Sequence, residues 1–538
     1  MIEYVNRGIS ACIRKNYRAR RKERKIFNRR DLLAIISRKC YTISVRNKYG
    51  TERRMRAKNK KNLYKKIALG VLFALFAYFF ACGYIPPMLR KKFTLQPLSS
   101  RRGDETCAER AAVIDDNESA LLYRLRLIES ARSEILLSTY SYYNDESGRD
   151  ITCALFAAAE RGVKIRIVAD GFNEGKLNGF SEFKALAGHE NAEVTIYNPV
   201  NPAAFQRANF RLHDKYLVCD DETYLLGGRN IGDYFLGAYC AENKRNLDRD
   251  VLVSCPAAES SGKNGAGGDK IRSISEVKTY FGRVQSEKHN AAFGGVSGGK
   301  RYEKSAAKMR ARYAALKEKY PDISRAIDAE TEMSATKGIA LLHGETQAGA
   351  KQPLLWKSIL NEAKGTGETV IQTPYAICDK AMYFDIAELA QSGTAVTIAT
   401  NSVRSGANPW GCADFPVSKM KLLKAGAAVL EISAERSSHV KTVLAGKNMS
   451  YIGSFNLDMR SVYLNTETVL AIDSEEINEA LKEKVRALAE TGTITKTNDE
   501  GGYEFYPGKK YEYRRVPLAK SFVYSVLRIV ILPIRHLL

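Results

Sequence analysis

The chain contains the stretch LHDKYLVCDDETYLLGGRNIGDYF at residues 212–235. A second stretch with the same pattern, SHVKTVLAGKNMSYIGSFNLDMRS, lies at residues 438–461. Each block has a His, a Lys two residues later, then a small residue and an Asn, with 17 residues from His to Asn in both. These positions are His213, Lys215, Gly228 and Asn230 in the first block and His439, Lys441, Ser454 and Asn456 in the second. Two matching blocks indicate an internal duplication.

Helical and strand patterns alternate around both blocks. Strand-like runs occur at residues 134–141, 163–169, 192–197, 369–373, 395–400 and 427–432. Helix-like spacing occurs at residues 120–132, 151–161, 302–320 and 381–392. Residues 256–300 are rich in Gly and Ser, and we expect a surface excursion around one helix there. Helices interleaved with strands at this spacing predict an α/β fold.

The positive charge is concentrated at the N-terminus. Of 538 residues, 84 are Lys or Arg and 60 are Asp or Glu, but residues 1–66 alone hold 23 of the former and 4 of the latter. The remainder is nearly neutral, which disfavours a nucleic-acid phosphate as the partner of the body. The basic tail is suited to anionic lipid.

An uncharged run, IALGVLFALFAYFFACGYI at residues 67–85, follows the tail. In a helix it reaches about 28 Å, close to the hydrocarbon thickness of a bilayer. Because Lys and Arg flank its N-terminal side, the tail is expected in the cytoplasm and the body outside, with an uncleaved single-pass anchor in the cell membrane. Pro86 and Pro87 are expected to stop the helix. A start at Met55 remains open.

The paired blocks suit a phosphodiester. One His can attack phosphorus and the other can protonate the leaving alcohol and later deprotonate the incoming one. Lysines and Asn amides would hold the phosphoryl oxygens. A carboxylate on the far ring nitrogen would fix each tautomer, and Asp250 and Glu467, which follow the two blocks, are the candidates.

The blocks resemble the two HxKxxxxD motifs of the phospholipase D superfamily. His213, Lys215 and Asp220 match the first motif fully, whereas Gly446 stands at the aspartate position of the second. Within that superfamily, the segments GGRNIGDYF, GSFNLDMRS and LNTE resemble those of bacterial cardiolipin synthases. The resemblance implies two similar α/β domains, with mixed sheets flanked by helices and the active site between them. In the family, the aspartate supports the motif, and we count Asp220 with His213, Lys215, His439 and Lys441 among the candidate catalytic residues.

The same resemblance implies a phosphatidyltransferase of phospholipid biosynthesis that acts through a phosphohistidine, with neither metal nor other cofactor. It would move a phosphatidyl group onto phosphatidylglycerol. Phosphatidylglycerol and phosphatidylethanolamine both remain open as donors, and the oligomeric state is not indicated. The alternatives are a phospholipase D-type phosphodiesterase that hydrolyses phospholipid, and a catalytically dead binding protein if Gly446 cripples the second motif.

Seven regions follow from these patterns. We expect a basic tail (1–66), an anchor (67–85), a linker (86–110), a first phospholipase D-like domain (111–300, motif region 207–234), a helical bridge (301–340), a second such domain (341–505, motif region 433–460) and a membrane-associated C-terminal segment (506–538). Within that last segment, SFVYSVLRIVILPIRHLL is apolar, basic and free of acids. It predicts an interfacial helix or hairpin, with a buried core helix as the alternative.

Overall fold

Two nine-stranded mixed sheets dominate the fold. They are seen in a computed structural model that describes residues 29–88, 98, 100, 106–256, 272–513 and 515–538. Both sheets belong to one compact unit, Phe80–Leu538, while the chain up to Phe79 forms a separate unit. The predicted α/β class is confirmed.

The first sheet has the order β8-β4-β3-β2-β5-β6-β7-β1-β9. Its strands are β1 Arg110–Ile114, β2 Glu134–Thr139, β3 Lys164–Asp170, β4 Ala192–Tyr197, β5 Tyr216–Cys219, β6 Thr223–Gly227, β7 Asp250–Ser254, β8 Ala291–Ala292 and β9 Ser334–Ala335. Numbering the N-terminal helix Arg29–Met88 as α1, the helices of this half are α2 Asn117–Ser130, α3 Glu146–Glu160, α4 Glu174–Asn178, α5 Ser181–Ala187, α6 Ser273–Gln285, α7 Gly299–Lys319 and α8 Ala329–Glu332.

The second sheet has the order β10-β18-β16-β15-β11-β13-β14-β19-β20, and β12 and β17 pair separately. Its strands are β10 Gly338–His343, β11 Glu368–Gln372, β12 Ala376–Ile377, β13 Ala395–Asn401, β14 Ala428–Ile432, β15 Thr442–Ala445, β16 Met449–Gly453, β17 Leu457–Asp458, β18 Thr468–Asp473, β19 Thr493–Thr497 and β20 Tyr503–Pro507. The helices are α9 Leu354–Ala363, α10 Lys380–Gln391, α11 Pro409–Lys424, α12 Met459–Tyr463, α13 Glu475–Thr491 and α14 Leu518–Ile534. Short 3-10 turns lie at Gly171–Asn173, Pro202–Arg207, Glu242–Lys244, Pro321–Ser324 and Arg535–Leu537.

The two sheets repeat one topology. In each, three parallel strands (β2, β3 and β4; β11, β13 and β14) continue into an antiparallel meander that carries the motif block. The meanders are β5-β6-β7 in the first half and β15-β16-β18 in the second. One apolar cluster contains residues from both sheets, so the two halves share a core. The predicted duplication is thus visible strand by strand.

Two sequence expectations need correction in the first half. Helix α6 is not part of a surface excursion, because Ile274, Val277 and Phe281 are buried in the shared core; residues 257–271 lie outside the described part. The segment predicted as a bridge, residues 301–340, contains most of α7. This helix belongs to the first half, where it packs on α3 and α5. The same segment also contributes β9, which pairs with β1.

Helix α1 covers the predicted anchor. Among the described residues it is the one helix long and apolar enough to cross a membrane. It begins at Arg29, so the described part of the basic tail is helical too. Pro86 and Pro87 do not stop the helix, which includes both and continues to Met88, the last residue described before 98.

Candidate active site

Each motif segment is held by the other half of the molecule. His213 and Lys215 lie in the extended stretch before β5, and His439 and Lys441 in the equivalent stretch before β15. The backbone N–H of His439 donates to the Leu247 carbonyl at 2.6 Å, and that of His213 to the Thr466 hydroxyl at 3.1 Å. The loops that precede β7 and β18 therefore each contact the motif segment of the other half.

The same crossing delivers a carboxylate to each imidazole. Nδ1 of His213 lies 2.9 Å from Oε1 of Glu467. Nδ1 of His439 lies 2.7 Å from Oδ2 of Asp248. Both carboxylates are fully buried. With Nδ1 engaged, Nε2 of each ring is the nitrogen left for chemistry.

Asp250 is a correction to the sequence prediction, which paired it with Glu467. It contacts no histidine and instead accepts hydrogen bonds from Arg124 at 3.0 Å and Arg229 at 3.2 Å. Strand register gives the reason: Gly227 pairs with Asp250, whereas the equivalent Gly453 pairs with Val469. The position equivalent to Glu467 is therefore two residues before Asp250, at Asp248.

The two motif lysines are buried between these groups. Each donates to the backbone carbonyl of its own motif histidine, and Nζ of Lys441 lies 2.7 Å from Nδ1 of His439. Burial lowers the pKa of Lys215 to about 7 and that of Lys441 to about 8, against the pull of nearby carboxylates. Two ammonium groups in one enclosed place make a strong site for an anion.

Both histidines are held neutral near pH 7. Burial first, then the Lys441 charge, lowers the pKa of His439 to about 4. Burial, with Lys215 next, also puts the pKa of His213 well below its ordinary value. Burial raises the pKa of Glu467 to about 7. At Asp248, the charges of Lys441 and His439 outweigh burial and lower its pKa. Neutral imidazoles are ready to act as nucleophile or base.

The small residues make room for the crossing carboxylates. A Cβ on Gly228 would lie 2.2 Å from Oδ1 of Asp248, so only glycine fits. At the equivalent Ser454, the hydroxyl donates to Glu467. Asn230 and Asn456 are both buried. Within the described residues, their side-chain oxygens have no hydrogen-bond partner. These oxygens can accept a hydrogen bond from a ligand hydroxyl, whereas the Asn456 side-chain N–H₂ donates to the Tyr375 hydroxyl at 3.4 Å.

Asp220, predicted among the catalytic residues, is not part of the site. It lies at the far end of β5, where its carboxylate accepts backbone N–H groups from Arg132, Ser133 and Glu134. Gly446 occupies the equivalent turn with nearly the same positive φ, 59° against 56°. In place of a carboxylate, Lys482 fixes that turn by donating to the Gly446 carbonyl at 2.7 Å.

Two positioning residues escaped the sequence analysis. Asp170, at the end of β3, accepts the Leu212 N–H at 2.8 Å. Asn401, at the same position of β13, accepts the Ser438 N–H at 2.9 Å and donates to the Ser438 carbonyl at 2.7 Å. Each thus holds the residue directly before a motif histidine. A polar residue ending a buried parallel strand was the available signal.

A cavity of about 240 Å³ opens beside His439. Amide and hydroxyl side chains line much of it, including Asn246, Thr400 and Asn401, with the first turn of α11 on one side. The Thr400 hydroxyl is buried and has no hydrogen-bond partner among the described residues. The cavity therefore offers polar contacts directly next to the reactive ring.

Comparison with known proteins matches one family model to both halves of the chain. The family model described as "Cardiolipin synthase, PLD-like domain" matches residues 125–247 and 357–489, one match in each half. Each half of the chain therefore contains a phospholipase D-like domain that matches this family model.

The chain is also similar to individual curated proteins and to a solved structure. Cardiolipin synthase C of Escherichia coli (strain K12) is 27% identical over 406 residues, 69% of this chain and 83% of that protein. An uncharacterized Helicobacter pylori protein (strain ATCC 700392 / 26695) is 28% identical over 412 residues, 68% of this chain and 76% of that protein. The crystal structure of phosphatidylserine synthase from Haemophilus influenzae Rd KW20 shares the fold, with a TM-score of 0.55 at 14% identity, over 83% of this chain and 98% of that one. The family model and cardiolipin synthase C support a phospholipid-modifying enzyme, and the crystal structure supports the fold.

Proposed function

We propose that this protein is a membrane-bound phosphatidyltransferase that moves a phosphatidyl group onto phosphatidylglycerol through a phosphohistidine intermediate. One observation carries the proposal: each of two buried imidazoles has Nδ1 on a carboxylate from the opposite half, with two lysines close by. A transferase through a covalent intermediate needs two such groups, one to bond phosphorus and one to carry the proton.

The reaction balances over two displacements. Nε2 of one histidine attacks phosphorus, the bond to the leaving alcohol breaks, and the other histidine gives that alcohol its proton. A hydroxyl of phosphatidylglycerol then attacks phosphorus, its proton returns to the second histidine, and the phosphorus–nitrogen bond breaks. Lys215, Lys441 and the Asn230 and Asn456 amides would hold the phosphoryl oxygens. The bound phosphodiester would offset the lysine charges that depress the histidine pKa values, so that a ring could carry the proton.

A lipid substrate fits the anchor. We propose that residues 67–85 of α1 cross the cell membrane, with the body outside, which keeps the site near diacyl substrates. These cannot leave a bilayer cheaply, since each exposed CH₂ costs about 0.8 kcal/mol. The comparisons support the substrate class through the cardiolipin synthase relatives.

The decisive experiment incubates the purified full-length protein with defined lipids and identifies the products by mass spectrometry. Phosphatidylglycerol alone and a mixture with phosphatidylethanolamine would identify the donor, and cardiolipin is the expected product. His213→Ala and His439→Ala should each reduce transfer by about 10²–10⁴. His289→Ala, outside the site, is the matched control.

Full activity in either His213→Ala or His439→Ala would contradict the two-histidine mechanism. Phosphatidic acid formed in place of cardiolipin would show a hydrolase, in which water replaces phosphatidylglycerol as the acceptor.

A further inference from the structure

Helix α14 presents an apolar face to the outside. Leu518, Phe522, Ile529 and Leu532 are each about 70% exposed, and Val526 lies between them at 46%. Their spacing of three, four or seven residues puts them along one side of the helix. Such a contiguous exposed apolar face normally marks a contact with another molecule or a membrane. We call these five residues the docking face.

The opposite side of α14 is fixed to the body. Tyr524 and Ile531 are buried against α11. Nε of Arg528 donates to the Ala413 carbonyl at 3.1 Å, and Arg535 forms an ion pair with Asp414 at 2.8 Å. Both arginines therefore point inward. The helix is neither a surrounded core helix nor free to cross a bilayer, and its outer side remains apolar.

The C-terminal end of α14 adjoins the place where the chain leaves the proposed anchor. Tyr84, next to the last residue of the apolar run, stacks edge-on against His536 with ring centres 4.4 Å apart. The carbonyl of Gly83 accepts a hydrogen bond from Asn209 at 2.7 Å. Since residues 67–85 are proposed to cross the membrane, the bilayer surface lies at this point of the chain.

The composition of α14 favours a lipid surface as its partner. No Asp or Glu follows Glu512, whereas Arg515 lies just before α14 and Lys520 lies in its first turn. Lys520 donates to the Arg404 carbonyl at 2.8 Å, and Arg404 to that of Arg515 at 3.1 Å. These basic residues lie beside a depression that Glu431, Glu435 and Glu512 also line. A helix with an exposed apolar face and no acidic residue along its length is the pattern of a helix that lies in the interface of a bilayer.

We propose that the docking face inserts into the membrane surface and orients the active site toward its lipid substrates. The inference rests on the proposed function for its anchor. Helix α11, on which α14 packs, also lines the cavity beside His439, and Cys412 contributes to both contacts. Docking of α14 would therefore set the height of that cavity above the lipid. A second attachment beside the anchor also raises the effective concentration of lipid at the site.

Fluorescence quenching tests insertion without relying on catalysis. A tryptophan placed by Phe522→Trp in the full-length protein, in vesicles with phosphatidylglycerol and lipids brominated on the acyl chain near the headgroup, should lose at least half of its added emission. Lys447→Trp, on the exposed β15–β16 turn at the end of β15 away from His439, should lose little. The emission of the unmodified protein, from Trp356 and Trp410, is subtracted. Equal quenching of both reporters, or none at residue 522, would overturn the proposal.

Activity supplies the second test. In the double variant Phe522→Ser/Ile529→Ser, activity on bilayer lipids should fall about tenfold, because the effective concentration of lipid at the site falls. Its activity on a soluble short-chain analogue should fall less than twofold. Ser525→Ala, on the same helix, is the control. Equal losses on both substrates would make the face part of the folded core. A change from dimer to monomer without quenching would assign it to a second copy of the chain. Because His213→Ala should leave quenching unchanged, failure of the proposed chemistry remains separate.

Discussion

At the scale of single residues, the crossing carboxylates define the site more sharply than the HxK patterns do. Asp248 and Asp250 are two residues apart, both buried and both acidic, yet one holds His439 and the other holds Arg124 and Arg229. Their environments predict opposite consequences for activity and stability.

Asp248→Asn should reduce kcat by at least about tenfold with little change in stability, because the amide keeps the size but not the charge that supports an imidazolium. Asp250→Asn should instead lower the free energy of unfolding by about 3 kcal/mol, since it leaves buried guanidinium charge uncompensated, with kcat of the folded protein nearly unchanged. Parallel kinetics and denaturant titrations separate the two. The reverse outcome would restore Asp250 to the site.

The pH dependence also follows from individual groups. The histidine that attacks phosphorus must be neutral. With His439 in that role, kcat/KM should fall as the pH drops through about 4, the pKa of its imidazole. The lysines must be charged to hold phosphate, so kcat/KM should also fall as the pH rises through about 7 to 8, the pKa values of Lys215 and Lys441. A profile with a soluble analogue checks both limbs. Lys441→Arg, which stays charged, should shift the alkaline limb of any residual activity upward; a flat profile to pH 9 would exclude the lysines.

At the scale of elements, the hairpin turns at Asp220 and Gly446 show one conformation stabilised in two ways. Backbone N–H groups bind the Asp220 carboxylate in the first half, and Lys482 of α13 holds the turn in the second. The missing aspartate is therefore replaced by another support, at the end of β15 away from His439.

Gly446→Asp should leave kcat within twofold. Aspartate tolerates the left-handed conformation, but its Cβ would lie 3.2 Å from that of Thr366, so stability should change by about 1 kcal/mol or less. Lys482→Ala, the matched variant, should destabilise by about 1 kcal/mol through loss of its hydrogen bond. Kinetics and thermal unfolding report both. A large gain of activity in Gly446→Asp would mean that the second motif is natively impaired.

At the scale of the whole molecule, the proposed topology has the basic tail inside and both sheets outside. Single cysteines introduced in a cysteine-depleted chain report it on intact cells. Those beyond residue 106, at exposed positions such as Lys447, should react with an impermeant thiol reagent, whereas those before residue 60 should not, because Lys and Arg keep the tail in the cytoplasm. Inverted labelling would overturn the orientation.

Local pattern alone determined the α/β class, the duplication, the motif residues and the apolar run. Hydrophobic period, charge clusters and a repeated His-Lys-Asn spacing are properties of neighbouring residues, and they need no tertiary information. The predicted strands and helices accordingly agree with the structure to within a few residues, as at Ala192–Tyr197 and Lys380–Gln391.

Only the tertiary structure decided which acid serves which histidine. Asp248 and Asp250 share the same strand parity, so alternation cannot separate them, and the register of β7 against β6 does. The exchange of carboxylates between halves, and the clamps at Asp170 and Asn401, join residues far apart in the chain. The inward arginines and outward apolar face of α14 depend on its contact with α11. Such pairings leave no period in the sequence, because they arise when separate elements pack against each other.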